Sequence, residues 1–203
     1  MIFINEHGKV FDHTVSESVE QDHARTFISR NDVVLELGAR YGTVSCAINK
    51  NLSNPTNQVS VEPDEDVWQA LEHNRNANGC GFHILKGAIS RVPVSLTKYG
   101  YSTHTLPAET SNVYTCTLEQ LESTYGLRFN VLVADCEGFL EQFMDENPKL
   151  YDQIKMILFE KDEASRCNYA KIEANLRKHN FIPIVTGFWS VWKKPLLHKV
   201  IRF

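Results

Sequence analysis

An α/β protein is what the 203-residue sequence predicts, built on a mostly parallel sheet with helices on both faces and closed by a C-terminal antiparallel hairpin. The continuous apolar runs Val131–Ala134 and Met156–Phe159 have strand length and suit strands buried on both faces, the mark of parallel pairing. Segments with helical spacing of apolar residues alternate with such runs, as in βαβ units. At 42% hydrophobic content the chain fills one sizeable core and leaves little for a second. One domain over residues 1–203 is expected, with a strand and helix in 1–31 preceding a core over 32–203.

Taken in order, the first helix is expected from Thr14 to about Arg30, capped by the Thr14 hydroxyl with Glu17 completing a capping box. Val33–Leu37 reads as a buried strand and Tyr41–Leu52 as a helix with Val44, Ala47 and Ile48 inward. Gln58–Val61 is a second strand. Asp64–Asn78 is a helix turning Val67, Trp68 and Leu71 inward and closed by Gly79, and Phe82–Leu85 is a third strand. Val92–Leu96 contains Pro93 and therefore suits a sheet edge. The polar stretch Tyr99–Asn112 reads as a long loop. Thr117 and Gln120 signal a capped helix running through Tyr125, and the helix Phe139–Leu150 separates the two apolar strands. Arg166–His179 is the last helix, and Phe181–Thr186 pairs with the run from Val191 onward as a hairpin around Gly187.

Twenty-one basic against 25 acidic residues, a net charge of −4, leave no electrostatic footprint for nucleic acid or an anionic membrane surface. A neutral small molecule or a glycan suits this surface better. The five cysteines are widely spaced with no C-x-x-C pair, so they read as reduced, mostly structural thiols. No apolar run reaches the roughly 20 residues of a membrane span, and the N-terminus does not resemble a signal peptide. A cytoplasmic location, and a domain cut from a longer chain, are the expectations.

In an open parallel sheet, ligands bind outside the carboxyl ends of the strands. Four of those ends carry acids here: Glu36, Glu62, Asp135 and Glu160. The turn Glu36-Leu37-Gly38-Ala39-Arg40-Tyr41-Gly42 joins the first core strand to its helix, and its glycines permit close approach of a ligand to the helix N-terminus. A dinucleotide would need G-x-G-x-x-G spacing for its pyrophosphate, whereas Arg40 occupies the middle position. S-adenosylmethionine has no phosphate and carries an amine and a sulfonium, so an acid such as Glu36 beside the turn favours it. Glu62, in VSVEPD, stands where a carboxylate accepts both ribose hydroxyls of either cofactor.

These residues resemble the FkbM-type methyltransferases of the Rossmann-like class I fold, over about Val33–Asp162. The matching motifs are ELGARYG, Glu62-Pro63, Gly87-Ala88-Ile89-Ser90, and above all Asp135-Cys136-Glu137-Gly138 followed by a strand ending in Glu160. The resemblance implies S-adenosyl-L-methionine as cofactor. It implies Glu36, Gly38, Ala39 and Gly42 around the methionine moiety, with Tyr41 in the same turn. Glu62 and Pro63 would lie at the ribose, and Gly87, Ala88 and Ile89 at the adenine. The chain departs from the family at Val133 and Leu140, where lysine and glutamate are common, and these departures bear on the acceptor pocket. The implied reaction is O-methylation of a sugar hydroxyl. A narrower resemblance, to the C-terminal methyltransferase domain of multidomain glycosyltransferases of chlorella viruses, implies fusion to glycosyltransferase domains and a terminal deoxyhexose such as rhamnose as acceptor. Tyr99, Tyr101, Trp189 and Trp192 are aromatics suited to stacking on a sugar ring.

Methyl transfer from a sulfonium asks the protein to position the acceptor and remove its proton. Asp135 is the first expected catalytic residue, against both the cofactor and the reacting oxygen, with Glu137 or Glu160 assisting. Asp135 and Glu160, with Asp162 nearby, also form a set of hard oxygen donors for a magnesium or manganese ion. His104 in the long loop is a further candidate base. Two other classes share the fold signal: a nicotinamide-dependent oxidoreductase, and a non-catalytic module that holds a glycan or a partner domain.

Overall fold

The computed structural model describes residues 1–15, 17–99 and 102–195, with only the backbone described at 99 and 102. The chain opens on a short antiparallel pair, β1 (Phe3–Ile4) and β2 (Val10–Phe11), followed by α1 (Ser18–Phe27). Then come β3 (Val34–Leu37), α2 (Thr43–Asn51), β4 (Gln58–Glu62), α3 (Trp68–Ala77) and β5 (His83–Lys86). Four short strands follow, β6 (Ala88–Ile89), β7 (Val94–Tyr99), β8 (Ser102–Pro107) and β9 (Thr115–Cys116). The second half runs α4 (Leu118–Tyr125), β10 (Val131–Ala134), α5 (Leu140–Glu146), α6 (Leu150–Gln153), β11 (Met156–Glu160), α7 (Tyr169–Lys178), β12 (Ile182–Val185) and β13 (Trp189–Lys193).

Among the described residues, the main sheet has seven strands in the order β12-β13-β11-β10-β3-β4-β5. Its five strands from β11 to β5 are parallel. The C-terminal hairpin is antiparallel as expected, and its second strand, β13, inserts between β11 and β12. Burial explains that order. The inner strand carries Val191 and Trp192, both fully buried, whereas β12 keeps Ile182 and Ile184 about half exposed and holds Pro183, which an edge strand tolerates. Side chains alternate across the pleat, so Leu35, Leu37, Leu132 and Ala134 join the core under α4, α5 and α7, while Val34, Val131 and Val133 meet Ala24 of α1, Ile28 just after it, and Ala47 and Ile48 of α2. No helix among the described residues is long and apolar enough to cross a membrane.

Several local expectations give way to longer-range contacts. Thr14 does not cap α1; its amide and hydroxyl both turn back to Asp12 Oδ1, at 2.9 and 2.6 Å. Glu17 is itself the residue before α1, in the left-handed region at φ 53°, and its carboxylate accepts the Thr43 hydroxyl instead of completing a capping box. The helix expected from Tyr41 begins at Thr43, because Gly42 turns left-handed before it. The stretch expected to be a loop from Tyr99 is largely strand: β8 pairs antiparallel with β7, Val94 opposite Pro107. That hairpin, and not the edge of the main sheet, is where the proline-bearing Val92–Leu96 segment goes. The helix expected over Phe139–Leu150 divides into α5 and α6, with Pro148 between them. The capping box of α4 forms as expected, Thr117 and Gln120 each satisfying the other's backbone amide.

Gly38, the first residue after β3, has φ +86°, and a Cβ there would lie 1.6 Å from the Asp135 carbonyl oxygen. The missing side chain thus admits the main chain following β10, not only a ligand as the sequence suggests. Gly38→Ala is expected to cost about 2–4 kcal/mol in denaturant unfolding, combining overpacking with left-handed strain. Gly126→Ala, also left-handed but with open space around its Cβ, should cost only about 1 kcal/mol. Equal losses would mean that the Gly38–Asp135 approach is not the constraint.

Candidate active site

The turn after β3 spends its amides internally. Gly38 and Ala39 both donate to Val61 O, at 3.0 and 3.1 Å. The Arg40 amide donates to Glu62 Oε2 at 2.6 Å, and the Asp64 amide to Glu62 Oε1 at 2.7 Å. Glu62 is buried at the end of β4 with one amide on each oxygen, and burial outweighs those bonds, pushing its carboxyl up to about 7.

A cleft opens at the carboxyl ends of β3, β4 and β10. Gly38, Arg40, Glu62 and Pro63 line one wall, Gly87, Ala88 and Ile89 another, and Asp135, Cys136 and Glu137 a third. Thr103 and Thr105 of β8 and Glu17 ahead of α1 complete it. Three other residues of the turn lie elsewhere. Ala39 packs with Phe3 and Leu71, Tyr41 is buried and gives its hydroxyl to Glu6, and Gly42 starts α2. Glu17, Arg40 and Glu137, three of the four described non-glycine residues with positive φ, all line this cleft. Such backbone strain is characteristic of functional sites.

A second pocket shares Gly38 and Asp135 with the cleft and is lined also by Glu20, Glu36, Glu160 and Trp189. Glu36 is almost fully buried. Its Oε2 accepts the hydroxyls of Ser45 and Ser60, each at 2.5 Å, while its Oε1 has no partner among the described residues. Burial raises the Glu36 carboxyl to about 7. Glu20, Asp135 and Glu160 each bring a carboxylate oxygen within 4.8 Å of the others. Burial and then the neighbouring Glu160 hold Asp135 well above the usual carboxylate range, and burial and then Glu20 push Glu160 up to about 8. The third acid beside Asp135 and Glu160 is thus Glu20, not Asp162. Asp162 instead accepts the Glu137 amide at 2.7 Å and the Tyr169 hydroxyl at 2.5 Å, strapping the turn after β10 to the loop after β11.

His104 is not a solvated loop histidine: it lies on β8, 7% exposed, with Nε2 3.7 Å from Glu163 Oε1. Trp192 is wholly buried beneath Arg177 and offers no face to a ligand, whereas Trp189 borders the second pocket and donates Nε1 to Glu20 at 2.7 Å. Tyr101 and the Tyr99 side chain fall outside the described residues. Glu20, Thr103, Thr105 and Glu163, and Glu17 as anything but a helix cap, are site residues that the sequence did not single out. Two acids three apart at the start of α1 were the one local signal for Glu17 and Glu20.

No family model matches the sequence, and no curated protein matches it. Solved structures do. The precorrin-6y C5,15-methyltransferase of Geobacter metallireducens superimposes with a TM-score of 0.56 at 11% identity, over 88% of each chain. An rRNA methylase of Streptococcus thermophilus gives 0.54 at 8% identity, over 87% of this chain and 94% of that one. The precorrin 8w decarboxylase of Methanobacterium thermoautotrophicum gives 0.52 at 14% identity, over 94% of both. At such identities the likeness is one of fold, and that fold is the Rossmann-like methyltransferase fold.

The raised carboxyls set a pH dependence. The folded state holds these protons more tightly than the unfolded chain, whose glutamates titrate near 4.5. Their contribution is therefore complete below that value and is lost as pH rises through about 7. The melting temperature of the ligand-free protein should fall between about pH 5 and pH 8, and Glu36→Gln should reduce the fall and raise the melting temperature at the upper end. A melting temperature that climbs over this range would contradict the assignment.

Proposed function

We propose that the chain is an S-adenosylmethionine-dependent O-methyltransferase whose acceptor is a sugar hydroxyl, of a terminal deoxyhexose such as rhamnose, in a chain that also carries glycosyltransferase domains. The observation that carries the cofactor reading is the turn after β3. Its amides at Gly38, Ala39 and Arg40 are bonded to Val61 and Glu62, so they form no nest for a pyrophosphate, and the walls around them are carboxyl-lined. A ligand without phosphates and with cationic groups fits that chemistry, which argues against the nicotinamide alternative. The fold shared with methyltransferases supports the same reading. For the acceptor, support comes from the resemblance of the Asp135-Cys136-Glu137-Gly138 segment and from a cleft bordered by threonines and carboxyls.

When bound, the cofactor supplies a methyl group on a positively charged sulfur, open to in-line displacement. Glu62 retains lone pairs for the ribose hydroxyls, and Gly87, Ala88 and Ile89 give an apolar wall suited to adenine. Glu36 Oε1, buried beside the turn, accepts from the amine. Asp135 takes the proton of the acceptor hydroxyl. Burial and Glu160 hold its carboxyl above the ordinary range, which makes it a stronger base than a solvated carboxylate. Glu160 assists, and Glu137 positions the acceptor from the third wall. A magnesium or manganese ion, if used, has Glu20, Asp135 and Glu160 as its ligands and would make the acceptor hydroxyl more acidic.

Calorimetry with S-adenosylmethionine and with NAD tests the cofactor: binding of the first, weakened by Glu62→Ala, is expected, and tight NAD binding alone would refute it. Asp135→Asn should lower turnover on a rhamnose-terminated acceptor by about 10²–10⁴-fold while changing cofactor affinity far less. Unchanged turnover in that variant removes Asp135 from the chemistry. Loss of activity in chelator, restored by magnesium or manganese, would identify the metal-assisted form.

A further inference from the structure

The β7–β8 hairpin buries a histidine that the proposed methyl transfer does not use. His104 is nine-tenths buried on β8, and its Nε2 faces Glu163 Oε1 at 3.7 Å. Glu137 adds a carboxylate oxygen, so that one donor atom from each of the three lies within 4.8 Å of the others. They arrive from three separate segments: β8, the turn after β10 and the loop after β11. His104 is placed by the pairing of β8 with β7, and Glu137 and Glu163 share one anchor, their amides donating to the two oxygens of Asp162.

One imidazole and two carboxylates make a mixed nitrogen and oxygen donor set. Magnesium and calcium favour oxygen alone, whereas imidazole suits zinc and its first-row neighbours. Zinc bonds to such donors measure about 2.0–2.2 Å, which sets two ligands of a tetrahedral ion about 3.4 Å apart. The observed His104–Glu163 separation needs only a few tenths of an ångström of closure. Two carboxylates and a neutral imidazole also carry the charge that a divalent ion offsets. We propose that His104, Glu137 and Glu163 form a binding site for a divalent transition-metal ion of the zinc class, which ties the β7–β8 hairpin to the strand-end loops. Because Glu137 lines the cleft, the site borders it. It is distinct from the all-carboxylate group of Glu20, Asp135 and Glu160, whose hard oxygens suit magnesium or manganese.

The test is titration of the full chain, stripped with chelator and dialysed, with zinc by calorimetry and with cobalt as an optical probe. One ion per chain is expected, with affinity reduced at least about tenfold in His104→Ala and in Glu163→Gln and unchanged in the double variant Glu20→Gln, Asp135→Asn. The cobalt spectrum should lack thiolate charge-transfer bands, since the five free cysteines are the competing ligands. Zinc should also raise the melting temperature of the wild type and not of His104→Ala. The metal-free melting curve reports whether each variant is folded; should His104→Ala fail to fold, Glu163→Gln carries the comparison. No zinc binding, binding undiminished in the folded variants, thiolate bands, or loss confined to the Glu20, Asp135 variant would each overturn the proposal. In the first case His104 and Glu163 would be an ion pair only.

Discussion

The main chain at Gly38 passes so close to the carbonyl of Asp135 that no side chain fits between them, and the rest of the site is arranged around that approach. It occurs where β3 and β10 lie side by side in the middle of the sheet, which is the point where successive connections leave in opposite directions and a crevice opens. The Asp135 amide continues the ladder by donating to Leu37 O at 3.0 Å. The turn after β3 and the acid after β10 therefore form one rigid corner. From that corner Glu62 is reached through the Arg40 amide, and Glu160 lies at the end of the next parallel strand.

Gathering carboxyls at strand ends has an electrostatic cost. Glu17, Glu36, Glu62, Asp135 and Glu160 are all raised above the ordinary carboxyl range, and for each of them burial is the largest cause. Hydroxyl and amide donors offset only part of it. Such a site discriminates strongly by charge: a cationic group relieves the repulsion that a phosphate would aggravate. The same physics separates the two candidate cation sites. The carboxylates at β10 and β11 offer only oxygens, whereas the hairpin adds an imidazole.

The cover of the site comes from parts of the chain with little in common. Glu17 and Glu20 belong to the N-terminal helix region, Thr103 and Thr105 to the β7–β8 hairpin, and Trp189 to the strand that inserts beside β11. Trp189 binds Glu20 across the whole length of the chain, coupling the last strand of the sheet to the first helix. The parallel sheet thus supplies the corner at Gly38 and Asp135, and the added elements cover it.

The sequence by itself determined the parallel core and the acids that stand at its strand ends. The apolar runs ending in Asp135 and Glu160 became β10 and β11, because burial on both faces leaves a strand no polar alternative. The Thr117 capping box formed because both partners lie within one turn. Other features needed the tertiary structure. β8 is too polar to read as a strand, and its pairing with β7 satisfies its backbone. Glu20 meets Glu160 through a contact 140 residues long, and Gly38 owes its identity to a carbonyl nearly 100 residues away. Periodicity, caps and strand-end residues are set by neighbours a few positions apart and so are legible along the chain. Which acids share a pocket depends on packing between segments that the chain's order does not place together.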